Sequence, residues 1–440
     1  MGAPLRAGRR MTSGRLAPAP DRLFDGIAGA DGTWRPLRPL FLSADRFREL
    51  GELTLRASRL VLDACRRRAA TAGELRSALG VPADRWPLLG DDEPLGDHLL
   101  AAVRPDVLVR DGTPLFVELN IDSALGGASH AALLGERFLA LYGDAPGLRV
   151  PPSAVDTRSR AVRTTLGLAD GARLVVPAFS AGATPGLEDL AAFTAWMRPV
   201  CESAGREGLD AVTYPLDRLA TDGRGRLLAD GRPVDAVLRM FVSHSQPPSA
   251  GMEALVRALR ADTVRMFTSE AAMLLAHKLT LAWLWQDADG LPASDREFIH
   301  RHVPWTGDAG DPTARPGERR AELVLKPADG YGGSGVVLGA AVDDEEWRAA
   351  LDRAARDGGH ILQEYVAGDR VPMGFRHASS GEVRTAEVPY VIGPYVFGGR
   401  PSSVLVRHGT PGGGAVLNAR HGAFLNTALL TGTHDDLRDL

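Results

Sequence analysis

The stretch Leu323–Gly335, read as LVLKPADGYGGSG, constrains this chain more than any other. Three apolar residues, Leu323, Val324 and Leu325, lead into Lys326 and Pro327. Gly330, Gly332, Gly333 and Gly335 follow, then Val336, Val337 and Leu338. That order spells strand, glycine-rich turn, strand. Two readings share it. One is a plain hairpin. The other is a phosphate loop, in which glycines let the backbone approach an anion and aim N–H groups at it, while Lys326 adds a compact charge. Neither common nucleotide fingerprint is present: GxxxxGK(S/T) is absent, and the turn leads to a strand rather than a helix.

Composition favours the phosphate loop, with chance survival of two surface lysines as the alternative. Of 51 Lys plus Arg residues, only Lys278 and Lys326 are lysines. A surface cation is served by either residue, so a chain that defaults to Arg keeps Lys where a planar fork does not substitute for a compact point charge, as against phosphate in a tight site. One of the two lysines ends the strand before the glycines.

The remaining bounds are broad. A chain of 440 residues is expected to hold two or three domains. Hydrophobic residues at 44% and charged residues at 24% describe a soluble globular chain. A net charge of −4 gives no reason to expect nucleic acid, and no apolar run reaches membrane-spanning length. Cys65 and Cys201 fit no disulfide or metal spacing, so a reducing, cytoplasmic setting is the expectation. Residues 1–20 carry arginines without an apolar signal core and read as a flexible tail.

Helical spacing is expected over 44–70, 72–80 and 95–103, and strands over 106–109 and 115–119 with Asp111-Gly112 as a tight turn. Residues 128–142 read as a helix. Residues 151–265 read as a separate Rossmann-like α/β unit without GxGxxG, with strands at 174–179, 211–214 and 236–242 and helices at 187–204 and 252–259. A continuous helix is expected over 267–285 with Lys278 inside it, a mobile loop over 307–320, and a helix over 345–356. Strands follow at 361–366, 382–392, 395–397 and 403–406, with Asn418 and Asn426 in a polar tail. The expected units are thus 1–20, an N-terminal segment 21–150, the α/β domain 151–265 and a nucleotide-binding core with its lid, 266–440.

Glu118 and Asn120, two apart on a strand, leave the same face and suit a hard cation such as Mg²⁺. Whether Asp106 joins them depends on hairpin register. A two-residue loop at 111–112 pairs Asp106 with Val117, on the wrong face; a three-residue loop, 111–113, pairs it with Glu118. The sequence leaves both open. Glu364, ending an apolar strand, suits an adenosine edge or ribose hydroxyl.

Taken together, these blocks resemble the circularly permuted ATP-grasp family, in the branch of glutathionylspermidine synthetase and, more remotely, eukaryotic-type glutathione synthetase. The resemblance lies in Arg104-Pro105-Asp106, Glu118-Leu119-Asn120, Ser123 to Gly127, His277-Lys278-Leu279, Pro304-Trp305-Thr306, Lys326-Pro327 with its glycines, Gln363-Glu364-Tyr365, and Arg407 with Asn418. It covers residue 95 onward, with 151–240 alike only in character. It implies an α/β (α+β) fold with a Rossmann-like substrate domain and a glycine-rich lid. It also implies an ATP-dependent carboxylate–amine ligase working through an acyl phosphate. Asp106, Glu118 and Asn120 would hold one or two Mg²⁺. Lys278, Lys326, Gly330, Gly332, Gly333, Ser334, Gly335, Gln363 and Glu364 would bind ATP. Arg104 and Arg407 would stabilise the acyl phosphate or hold a substrate carboxylate.

Other residues read as structural: His130, His277, His408 and His421 as packed or surface histidines, Trp283, Trp285 and Trp347 as core, and 343–346 as a solvated helix start. Arg239 fits a substrate carboxylate or an ion pair equally. The loop GYGGSG lacks the charged side chains of some relatives, and lysine is confined to two positions. The expected partners are therefore small molecules other than glutathione and spermidine, such as amino acids or a small peptide. A small-molecule kinase without ligation and a non-catalytic nucleotide-binding module are the alternatives.

Overall fold

A computed structural model describes residues 23–24, 34–143, 147–179, 190–311, 314, 316–330, 332–412 and 423–432. The expected tail at 1–20, Asn418 and His421 lie outside them. After β1 (Trp34–Pro36) and β2 (Leu40–Ser43), the Ser43 hydroxyl accepts from the Arg46 amide at 3.1 Å and starts α1 (Ala44–Arg66). One face of α1, including Leu50, Ala57, Val61 and Cys65, is fully buried. Next come α2 (Ala72–Ala78) and the hairpin β3 (Ala102–Arg110) and β4 (Thr113–Ile121). The helix expected over 95–103 is only one 3-10 turn, Asp97–Leu100, because the chain becomes extended at Ala102 to pair with a later strand.

The middle of the chain builds a parallel sheet. α3 (Ala128–Tyr142) and α4 (Ala154–Leu166) precede β5 (Arg173–Ala178), α5 (Leu190–Arg206) and β6 (Asp210–Pro215). The short strands β7 (Ala220–Thr221), β8 (Leu227–Ala229) and β9 (Arg232–Pro233) form an antiparallel ribbon. β10 (Ala236–Leu238), α6 (Ala250–Arg260) and β11 (Arg265–Phe267) complete a four-stranded parallel sheet in the order β11-β10-β5-β6. β10 throughout and β5 from Leu174 to Pro177 are apolar and buried, as parallel strands covered on both faces should be. Apolar spacing does not predict α4, because its buried face includes Arg158 and Ser159.

The helix expected over 267–285 is broken. Phe267 ends β11, and α7 (Ala271–Leu275) and α8 (Leu279–Asp287) are separated at 276–278. The break has a tertiary cause: the Lys278 amide leaves the helical ladder and donates to the Ala328 carbonyl at 2.8 Å. α9 (Ala293–His302) follows, then a four-stranded sheet in the order β12-β15-β13-β14. Its strands are β12 (Thr306–Asp308), β13 (Leu323–Pro327), β14 (Val337–Leu338) and β15 (His360–Glu364), with α10 (Asp344–Asp357) between the last two. Asp343 caps α10 by accepting from the Glu345 and Glu346 amides, and Trp347 is buried against Leu323, Leu325 and Leu362.

β16 (Arg370–His377), β17 (Val383–Phe397), β18 (Arg400–His408) and β19 (Phe424–Thr431) close the largest sheet. Its order is β1-β16-β17-β18-β19-β2, with β3 and then β4 alongside the second half of β17. β17 is one strand of 15 residues rather than the expected two; the interruption is only a register irregularity opposite β18 between Pro394 and Val396. Asn426 lies not in a polar tail but fully buried in β19, donating to the Arg38 carbonyl at 2.9 Å. Val103, Val107 and Phe116 of the β3–β4 hairpin pack with Ile392 and Val406 in the core shared by α1, α7 and α8. The opposite face of the same hairpin carries the polar residues.

Candidate active site

The acids meet through a device that neither simple register contains. The loop has two residues: Arg110 pairs with Thr113, and Asp111 and Gly112 both have positive φ, +50° and +74°. That is the turn geometry that matches strand twist. Continued regularly, it would place Asp106 opposite Val117. A bulge intervenes. Val107 pairs with Phe116 and Asp106 with Glu118, so Val117 is the extra residue. Beyond it Arg104 pairs with Asn120, and Arg104, Asp106, Glu118 and Asn120 share one face.

β17 and β18 extend this face. The Arg407 guanidinium, on β18, reaches Asp106 Oδ2 at 2.5 Å although β17 runs between their strands. Gly393 makes the crossing possible. It lies where the register sets β17 against Asp106, and a Cβ there would stand 3.1 Å from Arg104 Cδ. Arg104 lies with its guanidinium 5.8 Å from the Tyr395 ring centroid. Its Nη1 donates to the Gly126 carbonyl at 2.8 Å, which also accepts from the Tyr395 hydroxyl. Asn120 Nδ2 donates to the Arg104 carbonyl at 3.0 Å, leaving Oδ1 as its acceptor. Gly393 and Tyr395 carried no motif in sequence; their roles follow from strand order.

Both lysines arrive at these acids. Lys278 is buried and places Nζ 3.1 Å from Glu118 Oε1 and 2.5 Å from the Gly330 carbonyl. Lys326 Nζ donates to Gln363 Oε1 at 2.6 Å, and Gln363 Nε2 donates to Thr306 Oγ1 at 3.0 Å. Gln363 is 1% exposed with both ends of its amide engaged, so its place is behind Lys326, as the group that orients it. Glu364 points from the other face of β15 and pairs with Arg110 at 3.1 Å. The expectation that 323–338 forms a hairpin holds, with Leu325 opposite Val337 and Val324 opposite Leu338. Within its turn Gly332, Gly333 and Gly335 have φ of +71° to +73°, and Ser334 and Gly335 are exposed. The base of the turn is tied down by Ala328 to the Lys278 amide and by Asp329 to Arg85 at 3.0 Å.

Charge is unbalanced here. Arg104, Arg407, Lys278 and Lys326 surround two carboxylates, Asp106 and Glu118. Burial acts to raise the Asp106 pKa, but Arg407, Arg104 and Lys278 overcome it and hold the carboxyl below its ordinary range. Burial, opposed by Glu118 and reinforced by Lys278, pushes Lys326 down to about 8. His277, beside Lys278, is pushed by burial to about 4 and stays neutral. Arg239 forms an ion pair with Asp122 and donates to the Phe241 carbonyl at 2.9 Å, the structural alternative of its two readings.

Among the described residues no three His, Cys, Asp or Glu side chains cluster as a metal site. The donor set that does exist, two carboxylates and one amide oxygen, still fits Mg²⁺, which keeps waters and takes phosphate oxygens rather than an all-protein cage. Asp106 Oδ1, buried and without a hydrogen-bond partner among the described residues, is the atom such an ion would satisfy. Among the described residues no helix is long and apolar enough to cross a membrane.

No family model matches the chain. A leucine–tRNA ligase from Xanthomonas campestris is 27% identical over 180 residues, covering 37% of this chain and 21% of that protein. The chain thus spans about a fifth of the length of the curated relatives it matches. Among solved structures, a glutathione synthetase-like effector from Globodera pallida superposes with a TM-score of 0.55 at 13% identity, covering 91% of this chain and 90% of that one. A gamma-glutamylcysteine synthetase-like protein from Methylobacillus flagellatus gives 0.43 at 14% identity over 85% and 86%. The mixed α/β architecture of this chain is therefore that of the ATP-grasp fold.

Proposed function

We propose that the chain is an ATP-dependent carboxylate–amine ligase. The observation that carries this reading is the meeting of both lysines with Asp106 and Glu118, brought from separate stretches of chain to one partly buried cluster with surplus positive charge. A surplus of cations suits a polyphosphate, whose transfer is governed by positioning and charge stabilisation. ATP supplies the phosphoryl group, and Mg²⁺, held by Asp106, Glu118 and Asn120, supplies charge neutralisation at its phosphates. An oxygen of the acid attacks the γ-phosphorus as the bond to ADP breaks. The amine then attacks the acyl carbon, phosphate leaves, and the amine nitrogen loses a proton to give the amide.

The chain's own residues divide this work. Lys278 and Lys326 hold the α- and β-phosphates, the second oriented by Gln363 and Thr306. Lys278 releases the Gly330 carbonyl to do so, which couples nucleotide arrival to movement of the turn. Gly330 to Gly335 then cover the γ-phosphate and exclude water, which would hydrolyse the acyl phosphate. Arg104 faces the transferring group from the Tyr395 side, while Arg407 holds Asp106 in its ionised form. Glu364, 3.1 Å from Arg110, marks the adenosine end. Because the acids precede both lysines in the chain, the order of parts is that of a circularly permuted ATP-grasp protein. Amino acids or a small peptide are the substrates this reading favours.

A pooled screen of acids and amines with ATP, read by mass spectrometry and ADP release, tests it. ADP, phosphate and an amide that appear only when both an acid and an amine are present are the expected result. A stable phosphorylated product with no need for an amine would overturn ligation in favour of a kinase. Bound ATP with no ADP across the whole screen would overturn catalysis altogether.

A further inference from the structure

We propose that Arg158 is an anion subsite that takes a carboxylate carried by a substrate at a distance from the reacting group; which substrate this is rests on the ligase reading above. Arg158 lies on the second turn of α4 and is 1% exposed. Among the described residues its Nε and Nη2 have no hydrogen-bond partner. The contact of Nη1 is the Met240 thioether at 3.5 Å, and the guanidinium lies 6.0 Å from the Phe397 ring centroid. A sulfur and a ring face are weak partners for a buried full charge. Burial lowers the Arg158 pKa to about 10, so it remains charged at neutral pH.

The contrast with Arg239 shows what is missing. Arg239 is as deeply buried, in the residue that directly precedes Met240, yet it has Asp122 and backbone carbonyls to neutralise it. Among the described residues Arg158 has no such carboxylate, and a buried cation without an anion is costly enough to need a reason.

Its position supplies the reason. Met240 follows the C-terminal end of β10, and ligands of open parallel sheets bind beyond those ends. Tyr395 links this place to the reacting centre: its ring stacks on that of Phe397, the ring beside Arg158, with centroids 5.9 Å apart, it faces the Arg104 guanidinium, and its hydroxyl shares the Gly126 carbonyl with Arg104. A substrate whose reacting carboxyl lies by Arg104 and Asp106 therefore extends past Tyr395 toward Arg158. A second carboxylate there would take the two free N–H directions of the guanidinium, the planar arrangement that suits Arg.

The test compares wild type with Arg158→Met, which keeps length and loses charge, and Arg158→Lys, which keeps charge and loses the fork. Acetate, succinate, glutarate and neutral glutaramide are titrated by calorimetry and thermal shift without nucleotide. Expected are binding of a carboxylate but not of glutaramide by wild type, weakening of at least about tenfold in Arg158→Met, partial recovery in Arg158→Lys, and an unliganded Arg158→Met at least as thermostable as wild type. Equal binding by wild type and Arg158→Met, no binding of any acid by wild type, or a marked loss of thermostability in Arg158→Met would overturn the proposal and leave Arg158 as packing. Once turnover is found, the KM of one substrate should rise in Arg158→Met, and that substrate carries the carboxylate; unchanged KM values for both overturn the assignment. The calorimetry uses no ATP, so failure of the ligase reading and failure of this subsite are separate results.

Discussion

Two hairpins meet at the candidate site, and they are built in opposite ways. β3–β4 joins two nine-residue strands through a two-residue turn, and Asp369 pins that turn by accepting from the Asp111 and Gly112 amides at 3.0 and 3.2 Å. β13–β14 has two paired positions and a connection in which three glycines adopt positive φ. The first fixes the acids against the core of the largest sheet. The second carries Lys326 on its paired strand and leaves Ser334 and Gly335 exposed. The difference separates two demands on phosphoryl chemistry: a cation site that must not move, and a cover that must.

The largest expected effects fall where the two hairpins touch. Glu118→Ala should lower turnover by about 10³-fold or more, the scale of several kcal/mol lost from charge stabilisation, with the fold intact by circular dichroism. Near-normal turnover would refute the assignment of the rigid arm. Lys326→Ala should cost about 10² to 10³ in kcat, as expected for removing one group aimed at developing charge. Steady-state ADP release measures both.

This comparison also shows what the sequence discloses and why. Lys278 and Lys326 were legible because Arg fills every other basic position. The glycine hairpin was legible because its turn residues are local. The meeting of Asp106 with Glu118 was not, since it turns on a bulge at Val117, a residue with no bulge signature. Gly393 is a glycine in a strand whose use depends on which strands flank it. The break at Lys278 is invisible to apolar spacing because Ala328, some fifty residues later, causes it. Arg158 hid α4 itself, by placing a charge on a buried helical face. Contacts local in sequence were readable, and contacts set by sheet order were not.

pH probes the charge that joins the two arms. Lys326 is depressed to about 8, chiefly by burial. The free enzyme should therefore lose kcat/KM for ATP above pH 8, about tenfold per unit. Lys326→Arg should abolish that alkaline limb; its persistence would assign it to another group. The stability sign is opposite. Between pH 8 and the ordinary lysine value, the unfolded chain holds the proton that folded Lys326 has lost. Stability from this group therefore rises with pH through that window.

A smaller effect separates cover from scaffold. In Gly335→Ala the Cβ would stand 2.8 Å from Pro327 Cγ at φ +72°. A left-handed alanine costs about 1–2 kcal/mol, or roughly 5- to 30-fold if closure carries the strain. The loss should appear in kcat and in uncoupled ATP hydrolysis, with little change in Tm. A fall in Tm with normal coupling would mean that the turn is a scaffold like its counterpart.

The smallest expected effect on turnover is at the other turn. Asp369→Ala removes the acceptor of the Asp111 and Gly112 amides, while the Gly112 carbonyl keeps its bond from Arg46 Nη2 at 2.6 Å. Both amides lie near solvent and regain water, so the cost should be about 1–2 kcal/mol of stability. The acids stand beyond the bulge, at rungs 104–120 and 106–118, and these rungs are held by β17 as well as by the turn. KM for ATP and coupling should therefore stay at wild-type values while chemical denaturation shifts. If instead turnover falls as far as in Gly335→Ala, the acids depend on the turn for their register, and the rigid arm is rigid only while Asp369 holds it.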